Sequence, residues 1–169
     1  ALLNPIEHGA NIVIHSLTKY LTSNGTSLGG VIIDAGTFDW GNGNFPEFTE
    51  PNPSYHCLNY HEALGAIAFI AKVRIEGLRD LGSAPSPFNS FQSIQGIETL
   101  DIRMKKHSEN ALKLAAWLST NKEVAWVNYP GLKNSKYNDL AQKYLPKGKS
   151  GIVTFGIKKD IEGEKVVAD

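Results

Sequence analysis

Two short apolar, β-branched runs mark the first part of the chain, residues 11–16 (NIVIHS) and 29–34 (GGVIID). Neither alternates cleanly between apolar and polar, the pattern of interior strands covered on both faces. Between them, residues 17–28 (LTKYLTSNGTSL) are polar and rich in Ser, Thr, Asn and Gly, the composition of a connection that carries function. Residues 35–60 hold Gly, Pro, Asn and aromatics over a stretch too long for a plain connector, so an ordered surface or lid segment is expected. From Glu62 the spacing turns helical. Leu64, Ile67, Ala71 and Ile75 recur every three or four positions, with Lys72, Arg74 and Glu76 elsewhere on the circumference. Gly77 stands at a candidate end of that helix. Ser86 and Pro87 then suit the cap and first turn of the next one. From there Phe88, Phe91, Ile94, Ile97, Leu100, Met104, Ala111, Ala115 and Leu118 form an apolar stripe expected to be core. As one helix to about Ser119 it would be on the order of 50 Å long; two helices joined near residues 103–107 fit equally. A strand at residues 124–129 (VAWVNY), a helix at 135–144 and a strand at 151–157 (GIVTFGI) follow, the beginning of a smaller α+β domain.

Composition narrows the class. The 169 residues are 41% hydrophobic and 20% charged, a globular balance with room for one domain or pieces of two. Lys plus Arg equals Asp plus Glu, 17 against 17, so no net field draws in nucleic acid or an anionic membrane. The apolar runs are too short to span a bilayer, and no secretory signal is visible. A single cysteine, Cys57, excludes an internal disulfide and fits a reducing, cytoplasmic setting. The only methionine is Met104, and the element order suggests that both ends fall inside a larger fold.

The chemistry gathers at residues 15–20, just past the first strand. Ligands of α/β sheets collect at the carboxyl ends of strands. Ser16 and Thr18 offer two hydroxyls to a phosphate, and Lys19 beside them offers an amine that can condense with an aldehyde. A lysine becomes nucleophilic when desolvation or a cationic neighbour lowers its pKa, and a buried strand end next to a phosphate pocket would supply the desolvation. Ser, Thr and Lys also make an ordinary solvated turn, and pattern alone leaves both readings open.

Resemblance adds to the pattern. Residues 8–20 (HGANIVIHSLTKY) and 25–34 (GTSLGGVIID) resemble the cofactor-lysine motif of the Cys/Met-metabolism pyridoxal-phosphate family. Residues 86–91 (SPFNSF) and 95–100 (QGIETL) are similar to its next signature, and Arg103, residues 107–111 and residues 127–132 continue the likeness. Within that family, Phe38-Asp39-Trp40, residues 45–48 (FPEF) and residues 53–56 (PSYH) resemble the O-acetylhomoserine sulfhydrylase branch. Cys57 departs by standing where glycine is more usual.

The resemblance implies an α/β fold, part of a fold-type-I (aspartate-aminotransferase-like) cofactor-binding large domain over residues 1–90. A linking helix and the start of the small C-terminal α+β domain would occupy residues 91–169. Lys19 would hold pyridoxal 5'-phosphate through its amine and act as the base, while Ser16 and Thr18 bind the phosphate. The implied reaction replaces the acetate of O-acetylhomoserine with sulfide or a thiol, giving homocysteine or methionine, in an intact homo-oligomer, a tetramer. Cystathionine synthesis, γ-elimination on the same scaffold, or a catalytically incomplete fragment are the alternatives. The family's Gly-rich phosphate turn, ring-stacking aromatic, pyridine-nitrogen Asp and carboxylate-binding Arg have no matching positions here.

Other candidates are weaker. His56, Cys57 and His61 match no zinc spacing, so ordinary loop residues are expected and no metal. His15 and His107 are read as structural. Gly25, Gly29 and Gly30 precede a strand rather than a helix, unlike a dinucleotide fingerprint. Trp40, Phe45, Phe48 and Tyr55 form either an interface or a packed lid.

Overall fold

The computed structural model describes residues 2–158. The chain divides into two compact units, one of Asn4–Ile97 and one that begins at Glu98 and takes in Leu2 and Leu3.

In the first unit, β1 (Ile12–Ser16) pairs antiparallel with β2 (Gly30–Asp34), from Ile12 opposite Asp34 to Ser16 opposite Gly30. The β-branched residues form strands as expected, but they are not buried on both faces. Ile14 is 71% exposed, and Ile32 and Ile33 are also exposed, although Ile12 packs on the aromatic core of the unit, and no third strand joins the pair among the described residues.

The segment at residues 35–60 is built around rings. Trp40 stacks between Phe48 (4.5 Å between centroids) and Phe69 (5.1 Å), with Phe38 and Phe45 against its edges. Trp40, Phe48 and Tyr60 are buried, so this segment is core of its unit, and Trp40 and Phe48 are not available as an interface. The short helix α1 (Pro46–Thr49) sets Phe48 into that core. At α2 (Tyr60–Leu64), Asn59 caps the first turn by accepting from the Glu62 amide at 3.0 Å.

The continuous helix expected after Glu62 is broken instead. Gly65 adopts φ +52 and ψ −121, outside helical space and open chiefly to glycine. Helix α3 (Ala68–Lys72), a wider π turn at Val73–Leu78 and α4 (Arg79–Leu81) follow. Gly77 lies inside the π turn, and the left-handed end cap is Gly82 at φ +67. Ala68 is buried and Leu64, Phe69 and Ile75 pack on the aromatic core, whereas Ile67 is exposed.

Helix α5 (Pro87–Glu98) starts where expected: the Asn89 amide donates to Ser86 Oγ at 3.1 Å, with Pro87 in the first turn. It ends before Thr99, not near residues 103–107, and α6 (Leu100–Thr120) is a separate helix. The stripe thus splits in two. Met104, Ala111, Ala115 and Leu118 are buried as core, but Phe88 (66% exposed), Phe91, Ile94 and Ile97 are not. The face α5 buries is the small, polar one, with Ser93 and Gly96 at its centre.

In the second unit, α6 packs on β3 (Val124–Asn128), which pairs antiparallel with β4 (Thr154–Ile157) through a bulge near Trp126. Helix α7 (Asn138–Tyr144) lies between the two strands in sequence. Tyr129, Ala111 and Ala115 form the core, and the Tyr129 hydroxyl reaches the carbonyls of Ser150 (3.0 Å) and Ser108 (3.2 Å). Burial pushes that phenol's pKa upward. Among the described residues no helix is long and apolar enough to cross a membrane.

Candidate active site

Strand β1 delivers the chain into a single π-helical turn, Leu17–Leu21, with a kink at Lys19 (φ −95, ψ −127). Two bonds close the base of the loop. The Leu17 amide donates to Gly29 O (2.9 Å), and the Gly29 amide donates to Thr18 Oγ1 (3.3 Å). Further round, the Thr22 amide donates to Leu17 O (3.0 Å) and the Ser23 amide to Lys19 O (3.1 Å). The backbone of the turn is therefore tied while its side chains are left to do other things.

Two of the three residues singled out in the sequence, Thr18 and Lys19, sit on this turn, and Ser16 is the strand residue directly before it. Ser16 ends β1 opposite Gly30 and is exposed. Thr18 accepts from a backbone amide, which leaves its hydroxyl proton free to donate to an anion. Lys19 is exposed, and its amine has no ion-pair or hydrogen-bond partner among the described residues. The desolvation expected around that amine is not supplied by the described residues, which leave Lys19 exposed. A cavity of about 320 Å³ lies by Ser108 and Tyr129, and another beside His56 and Cys57, and neither includes Lys19. An unengaged amine and two hydroxyls with protons to give, at a strand end and the tied turn that follows it, still have the donor chemistry that a phosphorylated aldehyde requires.

Sequence reading missed what holds the turn from behind. Thr22 is fully buried and its Oγ1 shares a 2.9 Å hydrogen bond with Ser93 Oγ on α5. Ser27, also buried, bonds Gln92, and Asn89 Nδ2 donates to Leu28 O at 3.1 Å. The available signal was the run of small and polar residues at helical spacing on α5 (Asn89, Gln92, Ser93, Gly96), opposite the apolar stripe that drew attention as core.

The remaining candidates are placed as follows. No group of three or more His, Cys, Asp or Glu side chains among the described residues is close enough to hold a metal ion. Cys57 is exposed and takes φ +53. That left-handed conformation explains why glycine suits this position.

The whole chain, residues 1–169, matches the model of the Cys/Met metabolism PLP-dependent enzyme family. The chain belongs to that family. It is 53% identical to an O-acetyl-L-homoserine sulfhydrylase of Leptospira meyeri, over 99% of this chain and 40% of the relative. It is 48% identical to O-acetyl-L-homoserine sulfhydrylase 1 of Thermus thermophilus, over 97% of this chain and 39% of the relative. The homocysteine/cysteine synthase of Saccharomyces cerevisiae is 48% identical over 91% of this chain and 35% of its own length. The fold agrees: a crystal structure of a protein named O-acetylhomoserine (thiol)-lyase from Campylobacter jejuni superposes with a TM-score of 0.87 at 39% identity. That match covers 93% of this chain and 39% of the other, which carries N'-pyridoxyl-lysine-5'-monophosphate. The chain is thus an α/β segment of the fold-type-I architecture, spanning about 40% of the length of its curated relatives.

Proposed function

We propose that the intact protein containing this chain replaces the acetate of O-acetylhomoserine with sulfide or a thiol, and that Lys19 is the residue to which pyridoxal 5'-phosphate attaches. The observation that carries this reading is the unengaged Lys19 amine on a tied turn with the Thr18 hydroxyl, directly after Ser16 at the strand end, in a member of this family. Relatives at 45–53% identity carry sulfhydrylase or homocysteine-synthase names, which supports the choice of substrate.

When bound, the cofactor supplies an electron sink for carbanions next to the substrate amino group. The chain's own residues do the rest. Ser16 and Thr18 would donate hydroxyl protons to the phosphate and so hold the cofactor beside Lys19. With its amine free, Lys19 would move protons at the substrate's Cα and Cβ as the base. Overall, the bond from Cγ to the acetate oxygen breaks, the bond from Cγ to sulfur forms, and the products are acetate and homocysteine, or its thioether when a thiol attacks. The missing desolvation of Lys19 is assigned to the parts of the relatives' length that lie beyond this chain. Residues 1–90 are assigned to a large cofactor-binding domain and residues 91–169 to a linking helix and small domain. A cytoplasmic homotetramer completes the proposal, and the apolar side chains exposed on β1, β2 and α5 are consistent with further covering surfaces.

The test uses the full-length protein with O-acetylhomoserine. Sulfide is expected to yield homocysteine and acetate in equal amounts, faster than cysteine yields cystathionine. Preference for cysteine, or elimination without any added thiol, would reassign the reaction. Lys19→Ala is expected to lower kcat by at least about 10²–10⁴-fold through loss of the base alone.

A further inference from the structure

The second signature of the chain, residues 86–100, lies outside the Lys19 turn in sequence and has no part in the chemistry above. In the fold, α5 meets that turn at closer range than any side chain would allow. A Cβ on Gly96 would stand 2.5 Å from the Leu21 carbonyl oxygen, 2.6 Å from the Thr22 carbonyl carbon and nearer still to the Thr22 oxygen. These are backbone atoms two and three residues past Lys19, so the clash could not be relieved by a side chain swinging aside.

One turn earlier on the same face, Ser93 is buried and bonds Thr22 Oγ1 at 2.9 Å while its hydroxyl also reaches Asn89 O at 2.9 Å. One proton of the Thr–Ser pair goes to the helix carbonyl and the other stays between the two hydroxyls, so both groups are satisfied inside a buried seam. The Ser27 hydroxyl donating to Gln92 Oε1 and Asn89 Nδ2 donating to Leu28 O extend the seam to the far end of the loop. The helix gives up its apolar face to make these contacts: Phe88, Phe91 and Ile94 point away and are exposed.

We infer that Gly96, Ser93 and Thr22 are positioning residues for Lys19: α5 acts as a rigid backstop that sets where the kinked turn presents its amine. The inference deepens the reading of Lys19 given above and rests on it. Thr22 is three residues from Lys19, and its amide and that of Ser23 bond back to Leu17 O and Lys19 O. A push on Leu21 and Thr22 is thereby passed to the backbone of Lys19. A displacement of about 1 Å at a reacting group costs about 10²-fold in rate, so the seam has leverage out of proportion to its size.

The test uses the full-length protein, pyridoxal 5'-phosphate as probe, and three readouts: cofactor dissociation constant, the pH midpoint of the lysine-bound cofactor's visible absorbance, and thermal stability. Gly96→Ala and Thr22→Val are expected to weaken cofactor binding by about tenfold, the equivalent of one lost buried hydrogen bond, and to displace the pH midpoint. Thr22→Ser keeps the hydroxyl and is expected to restore both. If Gly96→Ala does not fold, Ser93→Ala, which adds no bulk, decides with the Thr22 pair. Variants that lose thermal stability but keep the wild-type dissociation constant and midpoint would overturn the positioning role. A visible band that survives in Lys19→Ala would overturn the Lys19 reading itself, and the backstop with it. A band lost in Lys19→Ala but unmoved in every seam variant would overturn the backstop alone.

Discussion

Tyr60 shows how one residue can store a pH dependence. It is fully buried, and its hydroxyl meets no partner at proper hydrogen-bond geometry. Burial first, and the nearby Glu76 carboxylate second, push its pKa up from 10.0 to about 12. Between those two values the unfolded chain has released the phenolic proton while the folded chain keeps it. Stability is therefore whole below pH 10 and falls as pH rises toward 12, by up to about 1.4 kcal/mol per pH unit. Denaturant melts of Tyr60→Phe at pH 9 and pH 11.5 are expected to show that this slope is lost. At neutral pH the same change should cost under about 1 kcal/mol, since no satisfied hydrogen bond is removed. Cys57 offers a second residue-level check. At φ +53 a non-glycine residue carries about 1 kcal/mol of strain, so Cys57→Gly is expected to be neutral or stabilising by up to about 1 kcal/mol in a thermal melt. Sequence alone marked Cys57 as a departure, but only the backbone angle supplies the reason.

At the scale of elements, the strands and the start of α5 were legible because β-branched runs and the Ser86-Pro87 pair act locally. The helices after Glu62 were not, because Gly65 and Gly82 act through dihedral angles that hydrophobic spacing does not encode. The stripe on α5 misled for a different reason. Apolar spacing marks a face that wants cover, and the cover need not lie in the same chain, while the polar face was buried by hydrogen bonds specific to the Lys19 turn. The aromatic segment is the clearest gain from structure: Trp40 bridges residues 38–48 to Phe69 on α3. Trp40→Ala should cost about 3–5 kcal/mol and abolish most of the near-ultraviolet dichroism of the first unit. In the second unit, Tyr129→Phe leaves the Ser150 and Ser108 carbonyls without the shared phenolic donor. A loss of about 1–2 kcal/mol is expected in chemical denaturation.

For the molecule as a whole, the strand end and turn that carry the three candidate residues are legible from sequence. The desolvation expected around Lys19 is not, because the described residues leave that side chain exposed. Ile14 (71% exposed), Leu28 (75%) and Phe88 (66%) all belong to the unit that bears Lys19, more exposed apolar bulk than an isolated soluble unit usually tolerates. The segment expressed alone is expected to bind a hydrophobic dye and to form heterogeneous aggregates in light scattering, and the full-length protein to bind no dye and to scatter as one defined species. Everything proposed about catalysis turns on which lysine receives the cofactor. The full-length protein saturated with pyridoxal 5'-phosphate, reduced with borohydride, digested and mapped by mass spectrometry answers that directly. The expected result is a pyridoxyl phosphate group on the peptide containing Lys19 and on no other; modification of a different lysine, or of none, would contradict it.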